Sequence, residues 1–215
     1  MPLACKKGCA TCCTQSVTMT GLEGLLIIAY LKRNERFDEL EIILAERTKS
    51  STSLPLTTNE FAEYCLKGIE PEEPVHEEWD FTPCPFLQND CCSIYPVRPF
   101  ACRAFVSTTN CGETGSAEVT PLTMTINTAF TQLVEHLADG SKWGKMLDIL
   151  GCYTANKDAK NTEAGNRPLR DAKPLPGLIV CEDEQKPVQA ILGRFLAISL
   201  NGVPIRTLLK LEGVI

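Results

Sequence analysis

The sequence predicts a mainly α fold whose helices pack around an irregular, cysteine-rich core formed by two loop clusters. Apolar residues at helical spacing follow three threonines that can each cap a helix, namely Thr20, Thr57 and Thr120. The cysteines concentrate in CKKGCATCC, residues 5–13, and in CPFLQNDCCSIYPVRPFACR, residues 84–103. The prolines of the second stretch and its lack of a helical period indicate a loop. Strand signals are few, and residues 178–181 are the best candidate.

Three helices are expected in the N-terminal half. Thr20 and Glu23 form a capping box at the start of TGLEGLLIIAYLKRN. The inward side chains of this first helix are expected to be Leu22, Leu25, Leu26 and Ala29. Those of a second helix, in RFDELEIILAER, are expected to be Phe37, Leu40, Ile43 and Leu44. LTTNEFAEYCLKG repeats the capping signal, and its apolar side comprises Phe61, Tyr64 and Cys65, so Cys65 is expected in the core.

The C-terminal half is also predicted to be mainly helical. The acidic, proline-punctuated EPEEPVHEEWDFTP is expected to be a loop before the second cysteine cluster. A helix capped by Thr120 is expected to stop at Gly140, with inward residues Leu122, Ile126, Ala129, Leu133 and Leu137. KWGKMLDIL is predicted to form a shorter helix that ends at Gly151. The polar residues 153–177 indicate a loop or lid, and PVQAILGRFLAISL and PIRTLLKL indicate two last helices.

The size and composition of the chain favour a fold that does not depend on disulfides. The chain has 215 residues, of which 44% are hydrophobic and 22% charged, enough to bury a sizeable core. We expect a cysteine-cluster domain over residues 1–115 and a helical extension over residues 116–215. The extension is expected to pack on the first part as one structural unit.

The cysteine content sets the chemistry that this chain can offer. Twelve cysteines accompany only two histidines, so any metal site is expected to be dominated by sulfur. No apolar segment precedes Cys5 and no stretch approaches 18 apolar residues, so we expect a cytoplasmic protein with no membrane partner. Thiols stay reduced in the cytosol, where clustered cysteines are metal ligands or redox groups more often than bridges. The 27 acidic residues outnumber the 21 basic ones, which argues against a nucleic-acid partner.

The two cysteine clusters predict a split metal site. Thiolates must converge from several segments on one ion, and irregular loops deliver them more easily than one helix face. The adjacent pairs Cys12–Cys13 and Cys91–Cys92 complicate this, because neighbours in an extended chain point to opposite sides. Either one member of each pair is a spectator, or there are two centres. Cys9 and Cys12 have the CxxC spacing of a thioredoxin-type dithiol, but no βαβ pattern surrounds them.

The order of these motifs resembles the CxxCxxCC family, a zinc- or iron-chelating domain. CKKGCATCC, the tetrapeptide CPFL and the string CSIYPVRPFACR occur together and in order, over about residues 1–111. The resemblance implies a metal centre with the ligands Cys5, Cys9, Cys12, Cys13, Cys84, Cys92 and Cys102. Three residues rather than two separate Cys5 from Cys9, and Cys91 has no counterpart in the family pattern.

Residues around the expected ligands have supporting roles in this interpretation. Arg98 and Arg103 flank Cys102, where they either offset thiolate charge, hold an anionic substrate or form a structural salt bridge. Tyr95 is expected to pack or donate a hydrogen bond near the centre. Cys111 stands close to the cluster but outside its motif. Cys152 and Cys181 are expected to be buried or partly buried thiols apart from it.

Three functions follow from these residues. The first is a metal-binding protein with a structural zinc or iron centre held by thiolates, which serves an unidentified protein or small-molecule partner. The second is an iron-sulfur oxidoreductase or electron carrier, since the same soft ligands hold iron-sulfur clusters. The third is metal-free thiol–disulfide chemistry. No catalytic residue is assigned, because the sequence contains no hydrolase triad motif, P-loop or dinucleotide fingerprint.

Overall fold

The computed structural model describes residues 2–46, 54–70, 80–155 and 169–211. The chain divides into two compact units. Unit 1 comprises Met1–Pro55, Glu73–Glu118 and Gly140–Ala172, and unit 2 comprises Leu56–Glu72, Val119–Asp139 and Lys173–Ile215. The structure is about 49% helical and also contains small sheets, so the fold is mixed rather than purely all-α. No helix of the described ranges is long and apolar enough to cross a bilayer.

The secondary structure alternates short strands with helices of one to five turns. The strands are β1 (Thr18–Thr20), β2 (Leu87–Gln88), β3 (Cys91–Cys92), β4 (Lys142–Lys145), β5 (Arg170–Asp171), β6 (Ser199–Leu200) and β7 (Val203–Pro204). The α-helices are α1 (Gly21–Arg33), α2 (Phe37–Ala45), α3 (Thr58–Lys67), α4 (Phe100–Ala104), α5 (Cys111–Thr114), α6 (Pro121–Leu137), α7 (Met146–Ala155), α8 (Gln185–Leu196) and α9 (Ile205–Leu208). Short 3₁₀ turns occupy Tyr95–Val97 and Glu182–Glu184.

The capping signals located the helices correctly. The hydroxyl of Thr20 accepts the backbone N–H of Glu23 at 3.3 Å, and the Glu23 carboxylate accepts the backbone N–H of Thr20 at 2.8 Å. Thr57 and Glu60 form the same reciprocal pair at the start of α3. Thr120 caps α6. These helices start where sequence predicts because a cap is a contact between residues three positions apart.

The predicted inward face of α1 is wrong. Leu25 and Leu26 are 47% and 58% exposed, and the buried residues are Gly21, Gly24, Ile27, Ile28 and Leu31. The reason is the close approach of α1 to α7. A Cβ on Gly21 would lie 2.1 Å from the Tyr153 hydroxyl oxygen, and one on Gly24 would lie 2.7 Å from Ile149 Cγ2. Only a helix face with glycine at these positions allows α7 to lie so close to α1.

The core of unit 1 joins α1, α2 and α7 to the second cysteine cluster. Leu40 of α2 is fully buried, and Phe37, Ile43 and Leu44 pack against the core as predicted. Phe86 and Ile94 come from the second cluster and are 1% exposed each. The cysteine-rich loop is therefore anchored in the core by two apolar side chains.

A three-stranded antiparallel sheet corrects two predictions in unit 1. β4 pairs with β1, with Met19 opposite Gly144, and with β5 on its other side. The segment KWGKMLDIL is therefore a strand followed by a helix, and α7 continues past Gly151 to Ala155. The polar segment predicted as a loop or lid contains β5, and its residues 156–168 lie outside the described residues.

Unit 2 packs α3, α6, α8 and α9 around a second core. Its buried apolar residues are Ala129, Leu133, Leu175, Val188, Leu192, Leu196, Leu209 and Leu211. Leu137, predicted to point inward, is 55% exposed. Residues 178–181 form no strand, because the N–H of Ile179 donates to the side chain of Gln132 rather than to a neighbouring strand.

The predicted burial of Cys65 is also wrong. Cys65 is exposed, and the buried residues of α3 are Asn59 and Ala62. The side chain of Glu135, in α6, accepts the backbone N–H groups of Thr58 and Asn59 at 2.9 and 2.8 Å. These hydrogen bonds turn the polar side of α3 inward, against the apolar pattern of its sequence.

Candidate metal centre

The first cysteine cluster forms two successive tight turns. The N–H of Cys9 donates to the carbonyl of Lys6 at 3.0 Å, and the N–H of Cys13 donates to the carbonyl of Ala10 at 2.9 Å. The N–H of Thr14 then reaches back to the carbonyl of Cys12. The cluster is therefore a loop, as predicted, with Cys12 and Cys13 at its end.

The second cluster lies directly beside the end of the first. The N–H of Cys84 donates to the carbonyl of Cys13 at 2.9 Å. Thr14 and Pro83 form an isolated antiparallel bridge, and the N–H of Gln15 donates to the carbonyl of Thr82 at 3.0 Å. These contacts bring together two cysteine clusters that lie about seventy residues apart in the sequence.

A short hairpin positions Cys92. β2 and β3 pair with Leu87 opposite Cys92 and Gln88 opposite Cys91. Asn89 and Asp90 form its turn with φ of 49° and 58°. Successive residues of a strand point to opposite faces, so Cys91 and Cys92 project to different sides. Cys92 packs against the unit 1 core, as does Cys84.

Cys102 lies in a helix rather than in the loop that the sequence predicts. The segment 84–103 contains the hairpin, the 3₁₀ turn and α4, which holds Cys102. The first N–H of α4, from Phe100, donates to the Glu23 carboxylate at 2.7 Å. Sequence reasoning gave Glu23 a capping role only, and no local signal shows its second contact.

Five thiols of unit 1 act on one another. Burial, with a smaller contribution from the thiol of Cys92, raises the pKa of Cys84 to about 11. Burial and the thiols of Cys84, Cys92 and Cys12 together raise the pKa of Cys102 to about 12. Their mutual effects show that Cys12, Cys13, Cys84, Cys92 and Cys102 share one electrostatic environment.

The pKa values of the adjacent thiols Cys12 and Cys13 shift in opposite directions. A hydrogen bond between the two side chains raises the pKa of Cys12 far above its usual range and lowers the pKa of Cys13. Burial and the nearby thiols of Cys84, Cys102 and Cys92 oppose the lowering at Cys13. Of the two neighbours, Cys13 therefore favours the thiolate and Cys12 the thiol.

Cys5, Cys9 and Cys111 lie in other surroundings. The N–H of Ser107 donates to the Cys5 sulfur at 3.3 Å, and the Cys111 thiol lies 3.9 Å from the carbonyl of Thr109. Cys9 lines a surface cavity of about 480 Å³ together with residues on both sides of it in the loop and with Asn110. The structure thus places two of the expected ligands, Cys5 and Cys9, against the segment 107–111.

The remaining cysteines and His136 stand apart from the cluster. Cys152 is buried, as predicted, whereas Cys181 is exposed, contrary to expectation. His136 accepts the N–H of Leu175 at 3.1 Å through Nδ1, and its Nε2 lies 2.8 Å from the carbonyl of Leu209. Both ring nitrogens of His136 are thus engaged within unit 2, and the other histidine of the chain, His76, lies outside the described residues.

Arg98 and Tyr95 form a stacked pair beside the thiols. The guanidinium carbon of Arg98 lies 3.9 Å from the centre of the Tyr95 ring. The positive charge of Arg98 lowers the pKa of Cys12 and of Cys102, against the larger effects that raise both. Arg103 instead donates to the carbonyls of Pro96 and Arg98, at 2.7 and 3.1 Å.

Comparison with known proteins gives one match. A family model described as "CxxCxxCC: Putative zinc- or iron-chelating domain" matches residues 4–124. The chain belongs to the CxxCxxCC family. Comparisons with curated proteins and with solved structures find no match. Metal chelation is thus the general chemistry of the family, and all five mutually interacting thiols fall within the matched residues.

The donor set fits the metals that the CxxCxxCC description names. Thiolates are soft ligands that suit zinc and iron, and four of them satisfy a tetrahedral site. Among the described residues, no group of three or more histidine, cysteine, aspartate or glutamate side chains is arranged so that it could hold a metal ion. The fit therefore rests on the chemistry of the thiols and on the backbone contacts that bring them together.

Proposed function

We propose that this chain is a metal-binding protein whose zinc or iron centre is held by the thiolates of Cys13, Cys84, Cys92 and Cys102. The observation that carries the proposal is the direct hydrogen bond from the N–H of Cys84 to the carbonyl of Cys13. It joins the two cysteine clusters at their ligands. The effects of the neighbouring thiols on the pKa values of Cys13, Cys84 and Cys102 support a common position for an ion.

The same proposal assigns different roles to the adjacent cysteines. Cys13 is the ligand because its backbone contacts Cys84 directly and its pKa is lowered, whereas the pKa of Cys12 is raised. Cys92 is the ligand of the second pair because it packs on the core with Cys84, while Cys91 projects to the other side of the hairpin. Cys5 and Cys9 lie against the segment 107–111 instead, so one spectator in each pair leaves four ligands. Four is the number that a structural zinc site requires.

A bound cation would offset the unfavourable free energy of ionising these buried, neighbouring thiols. Burial and the neighbouring thiols raise the pKa values of Cys84 and Cys102, so both are protonated at neutral pH without an ion. A divalent ion favours the thiolates, and binding releases their protons. Because the ion would connect two segments of unit 1, the free energy of binding would also stabilise the fold.

The four thiols suit an iron-sulfur cluster as well as a single ion, so the identity of the metal is an outcome of the test. The proposal requires a compartment that keeps the cluster cysteines reduced, and the cytoplasm meets this need. An electron carrier or oxidoreductase would follow from iron with inorganic sulfide. Reversible thiol–disulfide chemistry would follow from protein that holds no metal.

The test is metal analysis and an absorption spectrum on protein purified without oxygen. We expect zinc or iron in Cys65→Ser and Cys181→Ser at the level of the wild type, because these exposed cysteines belong to unit 2. We expect Cys84→Ser and Cys102→Ser to lose the metal. Wild-type protein without metal, or cluster variants that retain all of it, would overturn the proposal.

A further inference from the structure

Ser16 forms a reciprocal pair of hydrogen bonds just beyond the two cysteine clusters. Its hydroxyl accepts the backbone N–H of Asp80 at 2.7 Å and donates to the carbonyl of the same residue at 3.1 Å. Ser16 is only 7% exposed, so both hydrogen bonds are largely shielded from water. The hydroxyl therefore uses its donor and an acceptor position on one segment, the chain that leads into Cys84.

These hydrogen bonds extend a set of backbone contacts between residues 13–16 and residues 80–84, which we call the cluster ladder. Its other members are the hydrogen bond from the N–H of Cys84 to the carbonyl of Cys13, the Thr14–Pro83 bridge, and the hydrogen bond from the N–H of Gln15 to the carbonyl of Thr82. The N–H of Thr82 donates instead to the Asp80 carboxylate at 2.8 Å. The Ser16 side chain thus closes the end of the ladder that lies away from the cysteines.

A metal centre split over two segments depends on the register of this ladder. A slip of one residue would shift one cluster along the other by about 3.3 Å and turn its side chains to the opposite face. Metal–ligand distances vary by only about 0.2 Å between sites of one kind. The hydrogen bonds of the ladder join backbone groups and the Ser16 hydroxyl, so none of them requires an ion.

We propose that the backbone of the metal centre is preformed, because the cluster ladder aligns Cys13 and Cys84 before an ion binds. Ser16 is the positioning residue that closes the ladder, and it contributes no ligand. The inference rests on the proposed metal centre and states how its two halves are held together. The ladder also gives the centre a property that a folding-coupled zinc site lacks, since metal can leave and return without unfolding of unit 1.

The side chains, rather than the backbone, must adjust when metal binds. Among the described residues, no group of three or more histidine, cysteine, aspartate or glutamate side chains is arranged to hold an ion. Loading therefore requires rotation of the thiol side chains. The core of unit 1 keeps the backbone of the second cluster in place, because Phe86 and Ile94 are buried in it.

The experiment measures amide hydrogen exchange by NMR in full-length, metal-free protein under reducing, oxygen-free conditions. The reporters are the amides of Gln15, Asp80 and Cys84, which are the donors of the ladder. The variant is Ser16→Ala, and denaturant unfolding measures the global stability of each protein.

Ser107→Ala is the matched control. Ser107 is a second buried serine of unit 1, and its hydroxyl also donates to a carbonyl, that of Thr109 at 2.8 Å, and accepts an N–H, that of Glu118 at 3.0 Å. These contacts lie outside the cluster ladder. Ser107→Ala therefore removes a comparable buried hydroxyl without a direct effect on the ladder.

We expect the three reporter amides of metal-free wild type to exchange about tenfold or more slowly than the same amides in an unstructured peptide. Ser16→Ala should speed exchange at Gln15 and Cys84 by about three- to tenfold, the effect of one lost hydrogen bond. Ser107→Ala should lower the global stability and leave these two rates at the wild-type level. A general loss of stability would speed exchange in both variants alike.

Metal loading gives a second measurement. Cobalt(II) is mixed with metal-free wild type at pH 7 and followed by its thiolate charge-transfer absorption. The loading rate should rise in proportion to the cobalt concentration, because no ordering of the backbone precedes binding. A rate that stops rising with concentration would reveal such an ordering step and contradict the inference.

Unprotected amides at Gln15 and Cys84 in metal-free wild type would overturn the inference, since the ion would then be what joins the clusters. Equal exchange in Ser16→Ala and wild type would exclude the role of Ser16. If Ser16→Ala does not fold, the Asp80 amide of the wild type decides this role, because its acceptor is the Ser16 hydroxyl. Failure of the proposed centre is distinguishable, since Cys84→Ser and Cys102→Ser would then bind cobalt like the wild type whatever the exchange rates.

Discussion

The Glu23 carboxylate accepts the N–H of Phe100 at 2.7 Å, while its other oxygen accepts the N–H of Thr20 at 2.8 Å. One side chain thus caps α1 and fixes the first turn of α4, the helix that carries Cys102. Through this relationship, an ordinary capping box becomes part of the support of the candidate metal centre.

Replacement of Glu23 should therefore weaken both the fold and the metal centre. We expect Glu23→Ala to lower the free energy of unfolding by about 1 kcal/mol or more, because a cap is lost and the N–H of Phe100 loses its acceptor. The variant should also release its metal to a chelator faster than the wild type. Denaturant unfolding and chelator kinetics measure the two effects.

Glu60→Ala is the matched control, since Glu60 completes the same capping box on α3 in unit 2. It should lose stability without faster release of metal. Equal release rates in Glu23→Ala and the wild type would show that the Phe100 contact does not support the centre.

The glycines of α1 and α8 should respond to alanine in opposite directions. A Cβ on Gly24 would lie 2.7 Å from Ile149 Cγ2, whereas one on Gly193 would meet no atom within 4 Å. We expect Gly24→Ala to destabilise the protein by about 1–3 kcal/mol through overpacking. Gly193→Ala should stabilise it by about 0.5–1 kcal/mol, because alanine is the better helix residue.

Thermal and denaturant unfolding of both variants would test this pair of predictions. A neutral Gly24→Ala substitution would mean that α1 does not approach α7 as closely as the structure indicates. Gly193→Ala serves as the control for the intrinsic effect of the residue change.

These glycines also show what sequence could and could not predict. The helix starts at Thr20, Thr57 and Thr120 were predictable because caps are local. The buried face of α1 could not be predicted, because a hydrophobic pattern assigns leucines rather than glycines to the buried side. The residue that contacts Gly21, Tyr153, also lies more than 130 positions away in the sequence. Shape complementarity between distant segments chose the glycine face.

The candidate site, too, has features that the sequence predicts and features that it does not. Spacing and family resemblance already indicated the two clusters and all four of the proposed ligands. The structure within residues 84–103 could not be predicted from periodicity, because a four-residue hairpin pairing and a five-residue helix are too short to show a period. Asn89 and Asp90 were the available signal, since these residue types tolerate the positive φ of a tight hairpin turn.

Glu135 should make unit 2 more stable at acidic than at neutral pH. Burial raises the pKa of Glu135, although the N–H groups of Asn59 and Thr58 oppose the rise. A carboxyl whose folded pKa exceeds its unfolded value binds more protons when folded. Its contribution to stability is fully present below the unfolded pKa and is lost as pH rises through the folded pKa.

The comparison is between the wild type and Glu135→Gln, which has no titrating group at this position. The variant should be less stable overall because its amide cannot accept both N–H groups of α3. The excess stability of the wild type should decrease between about pH 4 and 7, measured by denaturant unfolding at several pH values. An increase over this range would show that the helix N–H groups outweigh burial.

The vicinal pair Cys12 and Cys13 gives the sharpest test of the ligand assignment. The carbonyl of Cys13 accepts the N–H of Cys84, and the pKa of the Cys13 thiol is lowered while that of Cys12 is raised. We expect Cys13→Ser to lose the metal. Cys12→Ser should keep the full amount of metal per chain, because the proposed centre takes no ligand from Cys12.

Metal content per chain and chelator resistance, measured on both variants under oxygen-free conditions, separate the two cysteines. Cys12→Ser should release metal at the rate of the wild type, since it removes none of the four proposed ligands. The opposite pattern, in which Cys12→Ser loses the metal and Cys13→Ser keeps it, would make Cys12 the ligand. Loss of metal in both variants would instead favour a centre with more than four sulfur ligands, as in a cluster with several metal ions.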